Sequence, residues 1–535
     1  QNQQHHQQRQ HQPFVSCLCA GGEAEQPIMA CCPQEASRRA LVCCQAFPPL
    51  LKQAGGVAKD YLALCRALID GLGWQVTLFS PVNILVSGEA DVDRWLLSGQ
   101  MLYKPAPSLR CSSNTEGVAI LLDFFDLKTA WLLAYELQFG GCSVCFMDDI
   151  CMRMAPIVLM RGLGLPSIAT THSDVPSHPL YEETFIVRCM WVSHLVSNYC
   201  ATVHATVAKV YAAILWDRYR SPVHAVWPPV LWSDEFRKPP ADYFERAAKE
   251  RSRWISLLGF TPRAVLLYSG RWSSEKRIHL LLDAVPEDCA LVVIGDSDSP
   301  YADEIEAATQ RNVIALRGML GAEELRIAYC ASDLYVSASA AETLGNCAVE
   351  AWSAGIPVAL QPAGGHLEFV KDNENSYLVN FDDPEQARRK LDEIVKAGAS
   401  ASVEPALSKI GEHFRTLDFP AEIQRILLEP ALSAAAQWRQ RRGVMWIFEV
   451  LLRFTCFVLC VCFWPPVSIG SRIYFALSCN PTFRYLPPGV ATEEISSRCN
   501  QDAVSKGCDA SYALLEPSQR CAGSVSCVNC DGLLV

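Results

Sequence analysis

The sequence predicts an α/β protein made of two Rossmann-like domains, with irregular tails at both ends. Between residues 265 and 395, short apolar stretches such as VLLYS and ALVVIG alternate with amphipathic stretches. Short apolar strands separated by helices are typical of a parallel sheet that helices cover on both faces. The chain has 535 residues, 50% of them hydrophobic and 19% charged, which is too long for one core and too apolar for a mainly disordered protein.

The C-terminal half has the more regular alternation. Its predicted strands are 265–269, 290–295, 312–318, 333–339, 357–361 and 377–381, and its predicted helices are 277–285, 302–310, 322–331, 346–355, 366–372 and 385–395. The N-terminal half repeats the pattern less regularly, with a helix over 57–73 and strands near 74–80, 118–124, 143–148 and 166–171. Two such domains would face each other across a cleft, with a linker around 226–238.

These patterns predict five segments along the chain. They are a low-complexity, cysteine-rich tail over 1–46, an N-terminal Rossmann-like domain over 47–230, a C-terminal Rossmann-like domain over 231–437, a basic and then hydrophobic segment over 438–466, and a cysteine-rich, disordered tail over 467–535. The two domains are expected to carry the function, since only they have the alternation of a folded core.

Charge and cysteine distribution exclude some classes of function. With 57 acidic against 46 basic residues the net charge is -11, so the protein as a whole would repel nucleic acid, and a phosphate-bearing ligand would have to be held by local groups. Of 25 cysteines, only Cys289, Cys330 and Cys347 fall between 201 and 450, which indicates a reduced enzyme core. The terminal cysteines match no zinc-binding spacing and are interpreted as incidental thiols rather than a metal site.

An apolar run near the C-terminus bears on membrane association. It covers 444–464, follows three arginines (Arg439, Arg441 and Arg442), and is long enough to span a bilayer. Glu449 and Arg453 interrupt it four positions apart and could pair on one helical face, as on a helix that lies in the membrane interface. A spanning helix, an interfacial or core-packed helix and an unstructured tail all remain open.

The loop after the strand at 265–269 offers two cations. Ligands of open parallel sheets bind beyond the carboxyl ends of the strands, and here Gly270 is followed by Arg271 and Lys276. Arginine supplies a planar fork and lysine a mobile point charge, a combination that suits a diphosphate. The alternative is an ordinary solvated basic loop.

The loop after the strand at 333–339 combines acids with a helix start. Glu342 precedes Thr343, Leu344, Gly345 and Asn346, and Glu350 lies about a turn inside the helix that follows. The open amides at the helix start could hold phosphate oxygens, and the carboxylate inside the helix could accept two hydrogen bonds from a vicinal diol such as ribose. The alternatives are a helix-dipole partner for the first acid and a paired helical acid for the second.

Glycine pairs and one histidine complete the candidate cleft. Gly364-Gly365 follows the strand at 357–361, and Gly56, in the pair that opens the N-terminal helix, could lie against a phosphate from the opposite side. Each pair could equally be a plain turn. His172 follows the strand at 166–171, which places an imidazole at the mouth of the cleft, although a lone histidine is more often structural.

Together and in this order, these elements resemble the retaining glycosyltransferases of family 4, which have the GT-B architecture of two Rossmann-like domains. The resemblance spans roughly 48–428 and is strongest over 265–395. It rests on Gly55-Gly56, His172, Gly270-Arg271, Glu275-Lys276, the element from Glu342 to Glu350 in ETLGNCAVEAWSAGIPV, Pro357 and Gly364-Gly365. Asn346 departs from the family pattern, which usually has an aromatic or aliphatic residue there, and Trp352 and Ala359 are also untypical.

The resemblance implies roles for the residues of the cleft. Arg271 and Lys276 would bind the nucleotide diphosphate, Glu350 the ribose, and the amides of Thr343, Leu344, Gly345 and Asn346 the phosphate oxygens, while Gly56 would close over them. Glu342 would contact the sugar and His172 would face it, which makes these two the catalytic candidates. The family uses no cofactor and no metal, because positive side chains and helix ends stabilise the leaving diphosphate. The N-terminal domain would then bind the acceptor and the C-terminal domain the nucleotide sugar.

Within the family, ETLGNCAVEA and SGRWSSEKRIHLLLDA look most like the sulfoquinovosyltransferases, which transfer sulfoquinovose from UDP to diacylglycerol. This implies a UDP-sugar donor, a lipid acceptor and a membrane surface, either a plastid membrane or the cytoplasmic face of another internal membrane. The basic and apolar segment near the C-terminus also favours a lipid. A soluble sugar acceptor remains open.

Two other functions compete with this one. A catalytically retired transferase that binds a nucleotide sugar or a partner would be expected to lack one of Arg271, Lys276, Glu342 and Glu350, and all four are present. A nucleotide-dependent epimerase would need an acid/base pair suited to proton abstraction, for which only Glu342 and His172 are available. Glycosyl transfer is therefore the leading interpretation.

Overall fold

The computed structural model of the protein describes residues 38–44, 47, 51–80, 89–105, 109–112, 119–122, 127–148, 153–172, 185–231, 233–297, 299–308, 311–440 and 451. The tail predicted over 1–46 is thus described only in part. The C-terminal tail, the terminal cysteines and the apolar run at 444–464 lie outside these residues, except for Leu451.

The first Rossmann-like domain is a parallel sheet of seven described strands in the order β3-β2-β1-β6-β7-β8-β9. Its strands are β1 (Arg39–Cys43), β2 (Gln75–Ser80), β3 (Met101–Pro105), β6 (Cys142–Met147), β7 (Ser167–Thr171), β8 (Val203–Thr206) and β9 (Ala225–Val226). Strands β4 (Leu109–Ser112) and β5 (Ala119–Leu122) form a separate two-stranded sheet. Its helices are α1 (Leu51–Arg66), α2 (Ala90–Leu97), α3 (Leu127–Gln138), α4 (Met154–Leu163), α5 (Phe185–Cys200) and α6 (Lys209–Tyr219).

The second domain is a parallel sheet of six described strands in the order β12-β11-β10-β13-β14-β15. The strands are β10 (Val265–Ser269), β11 (Ala290–Gly295), β12 (Val313–Arg317), β13 (Leu334–Ser337), β14 (Val358–Leu360) and β15 (Tyr377–Leu378). The helices are α7 (Asp234–Arg237), α8 (Tyr243–Leu258), α9 (Ile278–Ala284), α10 (Pro300–Ala307), α11 (Ala322–Cys330), α12 (Asn346–Ser353), α13 (His366–Phe369), α14 (Pro384–Ala397), α15 (Ala406–Thr416), α16 (Phe419–Ile423) and α17 (Glu429–Gln440).

Helices cover both faces of the two sheets, and the strand side chains alternate between the faces. In β1, Val42 packs into a cluster with Val76 and Phe146, while Leu41 packs into a separate cluster with Met147. This is the expected result of a strand whose side chains point to opposite faces at successive positions. The prediction of two parallel, doubly covered sheets is confirmed.

Two elements differ from the sequence-based expectation. Arg39–Cys43, assigned to the N-terminal tail, is a central strand of the first sheet and pairs with both β2 and β6. Ala119–Leu122, expected in a parallel sheet, pairs antiparallel with Leu109–Ser112 instead. Both strands are short, so their partners depend on contacts with distant residues rather than on their own apolar pattern.

The chain crosses back to the first domain near its described end. Phe419, Ile423 and Leu427 are buried in the same cluster as Val42 and Tyr61 of the first domain. These residues were expected in the C-terminal domain, whose predicted boundary is 437. The stretch from α16 to α17 therefore completes the core of the first domain, although it follows the second domain in the chain.

Candidate functional site

Three of the loops singled out by sequence meet at one edge of the second sheet. Strand β10 pairs in parallel with β13, and β13 with β14, so their carboxyl ends lie side by side. The loop with Arg271 and Lys276 follows β10, the loop with Glu342 follows β13, and Gly364-Gly365 follows β14. Strand order thus brings together residues that are far apart in the sequence.

Lys276 and Glu342 form an ion pair at this edge. Lys276 Nζ lies 2.5 Å from Glu342 Oε1, and each side chain is 18% exposed. Burial alone would raise the pKa of Glu342, but the Lys276 ammonium and His366 outweigh burial and hold this pKa below its usual value. Glu342 is therefore a carboxylate at neutral pH, and it places the lysine from the neighbouring loop.

Arg271 is held by a carboxylate that was not among the predicted site residues. Its guanidinium lies 2.7 Å from Glu275 Oε1, and the Glu275 side chain is fully buried. The pKa of Glu275 is below its usual value because Arg271 and Lys276 outweigh the effect of burial. The spacing of four residues between arginine and glutamate was the available signal. Glu275 thus fixes the orientation of the arginine, whose side chain is still 26% exposed.

The helix start at Asn346 lies against the glycine pair. Gly365 donates its N–H to the carbonyl of Glu342 over 2.9 Å. A Cβ atom on Gly364 would lie 1.9 Å from the Glu342 carbonyl oxygen, and one on Gly365 would lie 2.1 Å from that of Thr343. Since real Cβ atoms do not approach so closely, only glycine allows this contact, which shapes the backbone of Thr343, Leu344 and Gly345 in front of α12.

His366 is a further polar residue at this helix start, and sequence reasoning did not select it. Gly345 has a φ of +86°, and a Cβ atom there would lie 2.9 Å from the His366 ring. The Nδ1 atom of His366 lies 3.0 Å from the Gln361 carbonyl, which can only accept, so Nδ1 carries the hydrogen. Burial lowers the pKa of His366 below its usual value, and the Glu342 carboxylate acts in the opposite direction.

Glu350 is buried beneath the helix start with both carboxylate oxygens engaged. Lys59 of α1 donates to Oε1 over 2.8 Å, and Tyr329 of α11 donates to Oε2 over 3.0 Å. Tyr329 is itself placed by Ser269 at the end of β10, 2.6 Å away. The structure thus shows the paired helical acid that was the alternative for this residue, and its role as a ribose ligand stays a prediction.

Helix α1 is the part of the first domain that lies against this edge of the second sheet. A Cβ atom on Gly56 would lie 3.1 Å from Asn346 Nδ2, so the backbone of α1 runs directly past the start of α12. The Asn346 Oδ1 atom is buried and has no hydrogen-bond partner in the part of the chain that the structure describes. Gly56 thus lies beside the start of α12. Its predicted closure over the donor phosphates stays a prediction.

His172 follows strand β7 of the first sheet and lies beside α1. Its Nε2 atom is 3.6 Å from Asp60 Oδ2, and both side chains are buried. The rings of Tyr61 and Trp227 lie within 6.1 Å of its ring, centroid to centroid. Sequence reasoning did not select Asp60, because a charged residue in a helix is most often solvated.

The site combines groups that attract negative charge. It offers a helix start, two positioned cations (Arg271 and Lys276) and a third cation from α1, Lys59. Such groups can stabilise negative charge that develops on a leaving diphosphate. Among the described residues, no group of three or more His, Cys, Asp or Glu is arranged to hold a metal ion. Within the same residues, each helix is too short or too polar to cross a membrane.

Comparison with known proteins shows that part of the sequence matches one family. Residues 251–406 match the family of glycosyl transferases group 1. The chain is 25% identical over 316 residues to the sulfoquinovosyl transferase SQD2 of Arabidopsis thaliana, and the match covers 56% of this chain and 59% of that protein. It is also 25% identical over 222 residues to the alpha-monoglucosyldiacylglycerol synthase of Streptococcus pneumoniae, covering 39% of this chain and 49% of the relative.

Solved structures support the fold. The glycosyltransferase from Rickettsia africae superposes with a TM-score of 0.50 at 15% identity and covers 76% of this chain and 100% of its own. Sucrose-phosphate synthase from Thermosynechococcus elongatus gives a TM-score of 0.50 at 18% identity, covering 75% of this chain and 98% of its own. The chain spans about half the length of the two sequence relatives above, 59% and 49%.

Proposed function

We propose that this chain, a GT-B protein of the group 1 glycosyltransferases, transfers a sugar from a nucleoside-diphosphate sugar, with UDP as the nucleotide, to a membrane lipid such as diacylglycerol. The observation that carries the proposal is the Lys276–Glu342 pair at the start of α12, opposite Gly56 of the first domain. A cation, open helix amides and a close glycine backbone together suit a diphosphate.

The proposed reaction is the one that the family resemblance implies. The bond between the anomeric carbon and the diphosphate breaks as the acceptor hydroxyl oxygen attacks the same face of the sugar. The hydroxyl proton passes to the departing diphosphate, and the anomeric configuration is retained. Arg271, Lys276 and the amides at 343–346 would stabilise the charge that develops on the diphosphate, without a metal. Glu342 and His172 would contact the sugar, and Glu350 would bind the ribose.

A panel of nucleotides tests donor binding in the absence of metal. Selective binding to the folded state raises the melting temperature, so we expect UDP and a UDP-sugar to stabilise the full chain more than the GDP and ADP equivalents. The stabilisation should disappear in Arg271→Ala and persist in Arg263→Ala, which removes a surface arginine that pairs with Asp288 and Asp392 instead. Failure of every nucleotide to stabilise a folded wild-type chain would refute the donor assignment.

The lipid acceptor is supported by the two relatives, whose names specify a sulfoquinovosyl transferase and a glycolipid synthase. The basic and apolar segment at 438–466 also suits an anionic membrane surface, either of a plastid or on the cytoplasmic face of another internal membrane. We expect the full chain to pellet with anionic vesicles and a chain ending before Val444 to stay in the supernatant. Pelleting of both chains to the same extent would refute this segment as the anchor.

Catalytic turnover separates the proposed enzyme from the retired transferase. One observation favours the second function: Lys276, Arg271 and Lys59 are each already paired with a carboxylate of the same chain. An assay with UDP-sulfoquinovose and diacylglycerol vesicles should give a glycolipid product if the chain is a sulfoquinovosyl transferase. Nucleotide binding without turnover on any UDP-sugar or acceptor tested would favour the binding function instead.

A further inference from the structure

Lys59 is a cation of the candidate site that comes from the opposite domain. Its ammonium lies 2.8 Å from Glu350 Oε1, and the two side chains are 17% and 2% exposed. Burial works against a charged lysine, but Glu350 outweighs burial and holds the pKa of Lys59 above its usual value. Lys59 therefore keeps its charge, and both side chains are largely removed from water.

This ion pair joins the two Rossmann-like domains. The neighbours of Lys59 on α1, among them Tyr61 and Leu62, pack into the core of the first sheet with Val42 and Val76. Glu350 lies on α12, whose Val349 and Ala351 pack into the core of the second sheet. Removing one partner of a buried pair leaves the other charge without compensation, so the pair strongly favours this arrangement of α1 and α12.

The residues after Lys59 connect the same helix to β7 and His172 of its own domain. Asp60 lies 3.6 Å from His172, and Tyr61 hydrogen-bonds Thr170 at the end of β7 over 2.8 Å. Three consecutive residues of α1 thus contact α12, His172 and β7. Because the three residues lie on one helix, a displacement of α1 that followed the Lys59 ammonium would also move Asp60 relative to His172.

We propose that Lys59 is a positioning residue that couples occupation of the nucleotide side to the placement of α1 and, through Asp60, of His172. The inference rests on the proposed function and deepens it, because it assigns the first domain a part in donor binding. With Lys59 present, Glu350 can accept hydrogen bonds from a diol while its charge remains balanced. Without Lys59, a buried carboxylate would stand uncompensated close to an incoming diphosphate and repel it.

Three variants of α1 test the role of Lys59. Lys59→Met keeps the length of the side chain and removes the charge, and Lys59→Arg keeps the charge. Arg66→Met is the matched control, because Arg66 lies on the same helix and pairs with Asp91 within the first domain. We expect the Kd for UDP to rise roughly tenfold or more in Lys59→Met, to change by less than about threefold in Lys59→Arg, and to stay constant in Arg66→Met.

The melting temperature without nucleotide separates positioning from stabilisation. A merely structural lysine would lower the melting temperature in Lys59→Met but leave the Kd for UDP unchanged, and that outcome would overturn the inference. If wild-type protein binds neither UDP nor the other nucleoside diphosphates, the proposed function itself fails, whatever Lys59→Met does. The two failures are thus distinguishable.

Two further measurements address the pathway through Glu350 and His172. If Lys59 acts through Glu350, the double variant Lys59→Met/Glu350→Gln should bind UDP no more weakly than Glu350→Gln alone, and additive losses would contradict the inference. The imidazole C2–H resonance of His172, assigned with His172→Gln, should shift when UDP is added to wild type and not when saturating UDP is added to Lys59→Met. An equal shift in both proteins would overturn the link to His172.

Discussion

At the scale of single residues, the cations of the described site are each held by a carboxylate. Lys276 pairs with Glu342, Arg271 with the buried Glu275, and Lys59 with Glu350. A charge that is already oriented needs little rearrangement when negative charge develops on a ligand. The same pairing keeps the site electrically balanced before a ligand enters, which fits a cleft with several buried acids.

Replacing Lys276 tests the diphosphate assignment. In Lys276→Ala we expect a loss of about 2 to 4 kcal/mol of transition-state stabilisation, measured as the fall in kcat/KM, because a charge-assisted contact strengthens as the phosphate leaves. Lys371→Ala, which removes an exposed lysine paired with Glu374, is the control and should leave kcat/KM unchanged. Equal rates in both variants would remove Lys276 from the site.

A pair of glycines isolates the contact between the helix start and His366. Gly345 and Gly355 have similar φ values of +86° and +80°, but only a Cβ atom on Gly345 would meet a neighbour, His366, within 4 Å. Both alanine variants should lose about 1 kcal/mol from backbone strain, and Gly345→Ala should lose further stability and UDP affinity because the ring must move. Denaturant unfolding and UDP titration measure the two effects, and equal losses would show that the ring contact is unimportant.

At the scale of elements, helices α16 and α17 couple the end of the second domain to the core of the first. Phe419, Ile423 and Leu427 are almost completely buried against residues of α1 and the first sheet. The ion pair of Lys59 with Glu350 is one connection between the two domains, and this packing is a second. The stability of the first domain should therefore depend on residues more than three hundred positions away from β1.

Leu427→Ala tests that dependence. Because the side chain is fully buried, its truncation should cost about 2 to 5 kcal/mol of unfolding free energy through lost burial and a residual cavity. Leu257→Ala, in which the leucine is 61% exposed, should change stability by less than about 0.5 kcal/mol. Urea unfolding followed by tryptophan fluorescence gives both values, and similar values would mean that the π-helical segment Gln424–Leu428, between α16 and α17, does not pack on the first domain.

At the scale of the whole molecule, the partly buried His224 contributes to how stability depends on pH. Burial, aided by the nearby Arg161, lowers the pKa of His224 to about 4. The unfolded chain binds a proton at this histidine below its usual pKa of about 6.5, whereas the folded chain does not until about pH 4. The contribution of His224 to stability is therefore complete above the unfolded value and is lost as the pH falls from there to the folded value.

Melting temperatures across this window check the prediction. We expect the melting temperature of wild type to fall between about pH 6.5 and pH 4 and the slope to be smaller in His224→Gln. His413→Gln, at an exposed position, should leave the slope unchanged. Carboxylates with a lowered pKa, such as Glu342, add a further loss of stability at lower pH as they become protonated. An unchanged slope in His224→Gln would contradict the assignment.

The sequence by itself determined the class of fold and which residues follow the ends of the strands. Alternating apolar strands and amphipathic helices are local patterns, and so is the position of a loop after a strand. For that reason Arg271, Lys276, Glu342 and the glycines at 364 and 365 were predicted at strand ends, where the structure has them.

Only the tertiary structure decided which residues meet. Lys59 and Glu350 are separated by 291 positions, and β1 takes its place in the sheet from β2 and β6, which follow it in the chain. Helices α16 and α17 likewise pack on the first domain rather than on the second. No local periodicity encodes such contacts, because they arise when distant segments bury a shared surface and balance each other's charge.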